Sequence, residues 1–149
     1  MSALISEDLV LLDVEVADRS EVTRLLAERL KAAGRVTDLD GFLADVRARE
    51  EQMPTGLPGG IGIPHARSAF VTEPTLGFAR VPKGVDFGAE DGPANLIFLI
   101  AAPEGGGSEH LTILAKLARK LIHQSFRESL LSAAGPADVV ELIAKEVAP

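Results

Sequence analysis

A chain of 149 residues with no cysteine cannot build a disulfide, a thiolate metal site or a cysteine nucleophile. Its net charge of −7 and its lack of tryptophan and tyrosine argue against nucleic acid as a partner, because such binders carry a basic footprint. The longest apolar run, Leu96 to Ala102, is too short to cross a bilayer, and the acidic start MSALISEDLV lacks the pattern of a signal peptide. The expectation is one soluble cytoplasmic domain over residues 1–149, the missing cysteines suiting a reducing compartment.

In chain order, Leu9 to Val16 reads as a strand or extended arm. A helix over 18–33 follows, with Asp18 and Glu21 at capping-box spacing. Val22, Leu25, Leu26, Leu30 and Ala33 form its apolar stripe, and Gly34 stops it. Asp38 caps a second helix whose core face is Leu39, Phe42, Leu43 and Val46; it runs to about Gln52, and Pro54 cannot continue it. PTGLPGG is a turn-rich connection, and Ile61 to His65 is extended, since Ile63 precedes a proline. Thr75 to Val81 is a strand, and PKGVDFGAEDGP is turn chemistry around a short Val85–Phe87 piece.

Asn95 to Ala102 is apolar on both faces, as a strand covered on both sides should be. After the loop PEGGG, Ser108 caps a helix with Leu111, Leu114, Ala115, Ala118, Leu121 and Ile122 on one face. A short helix near 125–131 and a final one from Pro136 to Val147 complete the chain. Helices on either side of a doubly covered strand block imply an α/β fold in three layers, a central β-sheet flanked by helices on both faces. The sheet is expected to be mixed, because some strand connections are too short for helical crossovers.

Three histidines carry the available neutral-pH chemistry: His65, His110 and His123. An isolated histidine at a strand end ordinarily bonds to nearby backbone. His65, however, follows GGIGIP, where glycines clear space and offer backbone N–H groups for an anion, and Pro64 stiffens the approach. His110 falls in the first turn of its helix, where orphan N–H groups and the helix dipole favour anions; an exposed first-turn residue fits equally well. His123, near the end of that helix, reads as structural or solvent-facing. Arg49 is the cation best placed to join the histidines, although arginines in runs such as RAREE are more often simply exposed. Thr55 adds a hydroxyl, or is a plain turn residue. No HxH, HExxH, GxSxG, GxxxxGK[ST] or GxGxxG pattern occurs, so metal, serine-hydrolase and nucleotide sites are not indicated.

REEQMPTGLPGGIGIPHAR resembles the signature of enzyme IIA domains of the fructose/mannitol class in the bacterial phosphoenolpyruvate:sugar phosphotransferase system. EHLTILAKLARKL resembles the second motif of that family. The resemblance implies that His65 receives a phosphoryl group from the carrier protein HPr and passes it to a cysteine of enzyme IIB. It also implies that His110, Arg49 and, less directly, Thr55 line the phosphate, with no metal or other cofactor. Lacking cysteine, the chain cannot include the IIB module, which would be a separate partner. Gly62 stands where the family commonly has alanine, which is expected to loosen the backbone. The sugar would be fructose or a hexitol; nitrogen-type homologues, which regulate partner proteins, share the histidine motif.

Overall fold

The computed structural model describes residues 4–105 and 109–147, with side chains for all of these except 109–111. After a 3-10 turn at Glu7–Leu9, strand β1 spans only Val10–Leu11. Of the strand or extended arm expected over Leu9–Val16, only these two residues pair as strand; Asp13 adopts a left-handed backbone, φ 58°, which a strand cannot accommodate.

Helix α1 (Arg19–Ala32) begins where the capping pattern places it. The Asp18 carboxylate accepts the Glu21 N–H at 2.9 Å, and the Glu21 carboxylate accepts the Ala17 N–H at 2.9 Å. Val22, Leu26 and Leu30 are fully buried. Helix α2 (Leu39–Gln52) is capped by Asp38 and buries Phe42, Leu43 and Val46.

The remaining strands are β2 (Gly56–Leu57), β3 (Ile61–Gly62), β4 (His65–Ser68), β5 (Thr75–Val85) and β6 (Ala94–Pro103). The sheet runs β1-β5-β6-β3-β2, with β4 also paired to β6. β5 is antiparallel to β6, whereas β3 and β4 are parallel to it, so the sheet is mixed. Of the segment expected to be turn around a short Val85–Phe87 piece, the first residues belong instead to β5, which continues to Val85 through a bulge that Gly84, at φ 82°, makes possible. PTGLPGG likewise holds β2, which pairs with β3.

Phe78 of β5 and Phe98 of β6 stand directly opposite, their ring centroids 4.8 Å apart. Such a pair contributes about 0.5–1.5 kcal/mol beyond its buried area. At Gly77 the missing side chain leaves room for Leu30 and Leu26 of α1. Arg80, an odd number of residues further along the regular part of β5, reaches α4 (Gln124–Ser132) instead. Alternation along a strand then puts α1 and α4 on opposite faces, which is the expected three-layer arrangement. Helix α5 (Pro136–Glu146), with proline in its first turn, buries Val139 and Ile143.

Helix α3 (Glu109–Leu121) turns inward a face that matches the expected one only in part, at Leu114 and Leu121. Ile113, Leu117 and Leu121 are buried, while Ala115 is exposed and Ile122 is 76% exposed. The sequence offers two overlapping apolar stripes, and the core takes the one at strict four-residue spacing. Ser108, the expected cap, lies outside the described residues.

Arg80 is 8% exposed yet fully engaged. Its guanidinium donates to both Asp13 carboxylate oxygens, at 2.7 and 2.9 Å. Nη1 donates to the carbonyls of Leu130, Leu131 and Ala133, at 3.1, 3.2 and 2.8 Å, capping the end of α4. The Arg80 hydrogen bond holds the Asp13 carboxyl below its ordinary value of 3.8. A carboxyl lowered on folding adds stability above its ordinary value, and that stability is lost as pH falls through the folded one. Asp13→Asn keeps a residue suited to positive φ but removes the charge. We predict that its urea midpoint is lower than wild type at neutral pH, and that the difference shrinks as pH drops below about 4. Parallel midpoint-versus-pH curves for the two proteins would show the pair to be idle.

Candidate functional site

The Ile61–Ser68 segment is one extended run broken at Ile63 and Pro64. Both halves pair with β6 in the same register, Ile61 opposite Leu96 and His65 opposite Ile100. Proline has no N–H to give the ladder, but its carbonyl accepts the Ile100 N–H at 3.0 Å, so the interruption is held in place. The Ile63 N–H donates to the Thr55 carbonyl at 3.2 Å. Both peptide units ahead of His65 are therefore tied to the sheet.

The His65 ring is half-buried, and its Nδ1 lies 2.7 Å from the Ile63 carbonyl. A carbonyl oxygen only accepts, so Nδ1 carries the hydrogen; in the neutral ring the lone pair is then on Nε2. A fixed tautomer with a defined basic nitrogen is what a nucleophilic histidine requires.

Thr55 is 5% exposed and held by Glu50. Its N–H donates to Glu50 Oε2 at 2.7 Å and its hydroxyl to Glu50 Oε1 at 2.6 Å. Both are charge-assisted and short. The hydroxyl hydrogen is thus committed to Glu50, and what Thr55 offers the neighbourhood of His65 is its carbonyl under Ile63. Sequence reasoning left Glu50 out of the site; the signal was present as a carboxylate at the end of a helix, five residues before a threonine. A second such tie joins Ser68, at the end of β4, to Asp45 of α2 at 2.6 Å.

Arg49 sits beside Glu50 in the last turn of α2 and donates from Nη1 to the Met53 carbonyl at 3.1 Å. No other protein partner engages its guanidinium among the described residues. Met53 itself is 64% exposed, an apolar tip on the loop that carries Thr55. His110 is the second residue of α3, the helix that follows β6; its side chain lies outside the described residues.

The glycines before His65 are used differently from the expectation of an anion nest. Gly59, at φ 96°, gives its N–H to the Asp91 carboxylate at 2.9 Å. The Gly60 carbonyl accepts from Asn95 and Leu96. Gly62 loosens nothing: a Cβ there would lie 2.6 Å from the Phe87 ring, so the glycine makes room for a buried aromatic side chain. Among the described residues, no group of three or more histidine or acidic side chains is placed to hold a metal ion.

Comparison with known proteins bears on this geometry. The family described as "Phosphoenolpyruvate-dependent sugar phosphotransferase system, EIIA 2" matches residues 3–146. The fructose-specific EIIA component of Haloferax volcanii is 39% identical over 148 residues, covering 99% of this chain and 96% of that protein. The nitrogen regulatory protein IIA-Ntr of Neisseria meningitidis superposes with a TM-score of 0.86 at 33% identity, covering 94% of this chain and 96% of the other. In the complex of enzyme IIAMTL with phosphorylated enzyme IIBMTL from Escherichia coli, the matching chain gives a TM-score of 0.80 at 27% identity, with 95% and 99% covered. Against a longer curated relative from Bacillus subtilis, an EIIABC component specific for fructose, the chain spans 23% of the length. The chain belongs to the EIIA 2 family of the phosphoenolpyruvate-dependent sugar phosphotransferase system.

Proposed function

We propose that the chain is a cytoplasmic phosphoryl carrier that takes a phosphoryl group from phospho-HPr onto Nε2 of His65 and gives it to a cysteine of enzyme IIB. The observation that carries this reading is the Nδ1–H bond to the Ile63 carbonyl, which sets the tautomer and aims the ring. Nε2 attacks phosphorus as the P–N bond to the HPr histidine breaks. A IIB thiolate then attacks the same phosphorus, and the P–N bond to His65 breaks as the neutral ring is restored. Little covalent work falls to the protein; positioning and charge stabilisation dominate.

Phosphorylation brings roughly −1.5 to −2 charges to the ring. Arg49, with N–H groups beyond the one on Met53, and His110 at the start of α3 are the groups that would meet that charge. Thr55 and Glu50 act by holding the backbone under Ile63. The fructose-specific relative supports fructose as the sugar, with a hexitol next. The mannitol-type complex supports a IIB partner on a separate chain, and exposed Met53 offers such a partner an apolar contact. Likeness to the nitrogen regulatory protein supports a second reading, in which the phosphorylation state of His65 controls binding to partner proteins. A sugar phosphorylated by IIB and IIC only when this chain is added separates the two.

Incubation with phosphoenolpyruvate, enzyme I and HPr should leave acid-labile phosphate on the wild type and none on His65→Ala. Labelling that persists in the variant would refute the assignment. His110→Ala should fold normally and transfer on the order of 10²-fold more slowly, the usual loss when one charge-stabilising donor is removed; unchanged single-turnover kinetics would remove it from the site. Glu50→Gln leaves a single amide oxygen for the two Thr55 donors. Its unfolding free energy should drop by about 1–3 kcal/mol and phosphorylation should slow, whereas wild-type values for both would mean that the fork is dispensable.

A further inference from the structure

A cavity of about 550 Å³ lies between the first turn of α1 and the C-terminal half of α2. Its volume is that of a small-molecule site, which commonly runs to about 300–1,000 Å³. Leu43, Val46, Pro64 and Phe87 give it an apolar floor. Pro64 is the residue before His65, so the floor adjoins the site described above without containing the ring.

The charges around the cavity are unequal in availability. Of its carboxylates, Glu50 has both oxygens on Thr55, Glu21 accepts the Ala17 N–H, and Glu51 is exposed at the rim. Of its arginines, Arg24 approaches Glu28 at 3.7 Å across an exposed helix surface. Arg19 and Arg47 have no hydrogen bond or ion pair among the described residues. Two of the three carboxylates are thus engaged within the fold, while two guanidinium groups remain uncommitted, one on each helix.

A further polar group on the wall is independent of these charges. Thr23 is only 8% exposed and lines the cavity, yet its hydroxyl has no hydrogen bond among the described residues. Among the described residues no side-chain nitrogen or oxygen is both sealed from solvent and unpartnered, so the small exposed part of Thr23 includes its hydroxyl. A solvent-reachable hydroxyl on a nearly buried side chain, with no protein partner, is available to donate to an acceptor in the cavity. It sits one turn into α1, whose N-terminus carries the positive end of the helix dipole.

From this arrangement we infer that the cavity binds a small organic oxyanion: a phosphate or carboxylate head between Arg19 and Arg47, within reach of Thr23, and a compact body on the apolar floor. Two guanidinium forks match either head group. The floor gives preference to an anion with a carbon skeleton over a bare ion. The site stands apart from His65 and does not depend on the phosphoryl-carrier reading.

The test is a titration of the isotope-labelled full chain, followed by amide chemical shifts. The probes are glucose 6-phosphate and glutarate, with glucose as the uncharged control. At least one anion should give saturable shifts at residues 19–24 and 43–51, and glucose none; the tighter anion identifies the head group. The double variant Arg19→Gln/Arg47→Gln should weaken binding by about tenfold or more, the equivalent of one lost charge-assisted hydrogen bond. Thr23→Val, of nearly the same shape, should weaken it by a smaller factor, with Thr23→Ser restoring it. His65→Ala should bind as wild type does. The inference is overturned if neither anion saturates, if glucose matches them, if the double variant binds unchanged, or if His65→Ala abolishes binding.

Discussion

Strand β6 is hydrogen-bonded along both edges, and the rest of the fold depends on that double pairing. One edge takes β5 antiparallel; the other takes β3 and then β4 parallel. A strand used on both edges and covered on both faces has no place for polar side chains, which is why LIFLIAA is continuous in the sequence. Because β3 and β4 share one register on β6, the proline between them breaks the ladder without releasing the chain. His65 is positioned by main-chain bonds to a central strand, a firmer base than a surface loop provides.

Around this frame the protein spends its charged groups inward. Glu50 holds Thr55, Asp45 holds Ser68, and Arg80 joins Asp13 to the end of α4. Each tie leads from a helix or turn to the sheet, fixing where a helix end stands relative to a strand. Buried charged groups are costly unless they are paired and hydrogen-bonded, and each of the three Arg80 guanidinium nitrogens has an acceptor, from a carboxylate and three carbonyls. Arg19 and Arg47 of the cavity between α1 and α2 differ in that no hydrogen bond or ion pair among the described residues uses them.

Much of this was legible in the sequence. Both acidic caps, the Gly34 stop and the doubly apolar strand are local signals, set by side chain–backbone bonds within a few residues. What escaped depends on partners distant in the chain. Two residues of β2 make sense only beside β3, and Arg80 in a strand makes sense only once Asp13 and α4 are in place. In α3 two apolar stripes compete, and only the neighbouring elements decide that Ile113 goes inward and Ile122 outward. For the candidate site, His65 and Arg49 stood out by residue type and setting, whereas Glu50 did not. Its role is visible only when both carboxylate oxygens are traced to Thr55.

The contact between Gly62 and Phe87 makes two distant positions one decision. A methyl group at residue 62 and a phenyl ring at residue 87 cannot share the same space. Where a relative carries alanine beside its histidine motif, the position corresponding to Phe87 must hold a smaller side chain or a displaced one. The two sites should therefore change together as sequences diverge, and a single swap at either one, moved between relatives, would bring only half of a matched pair.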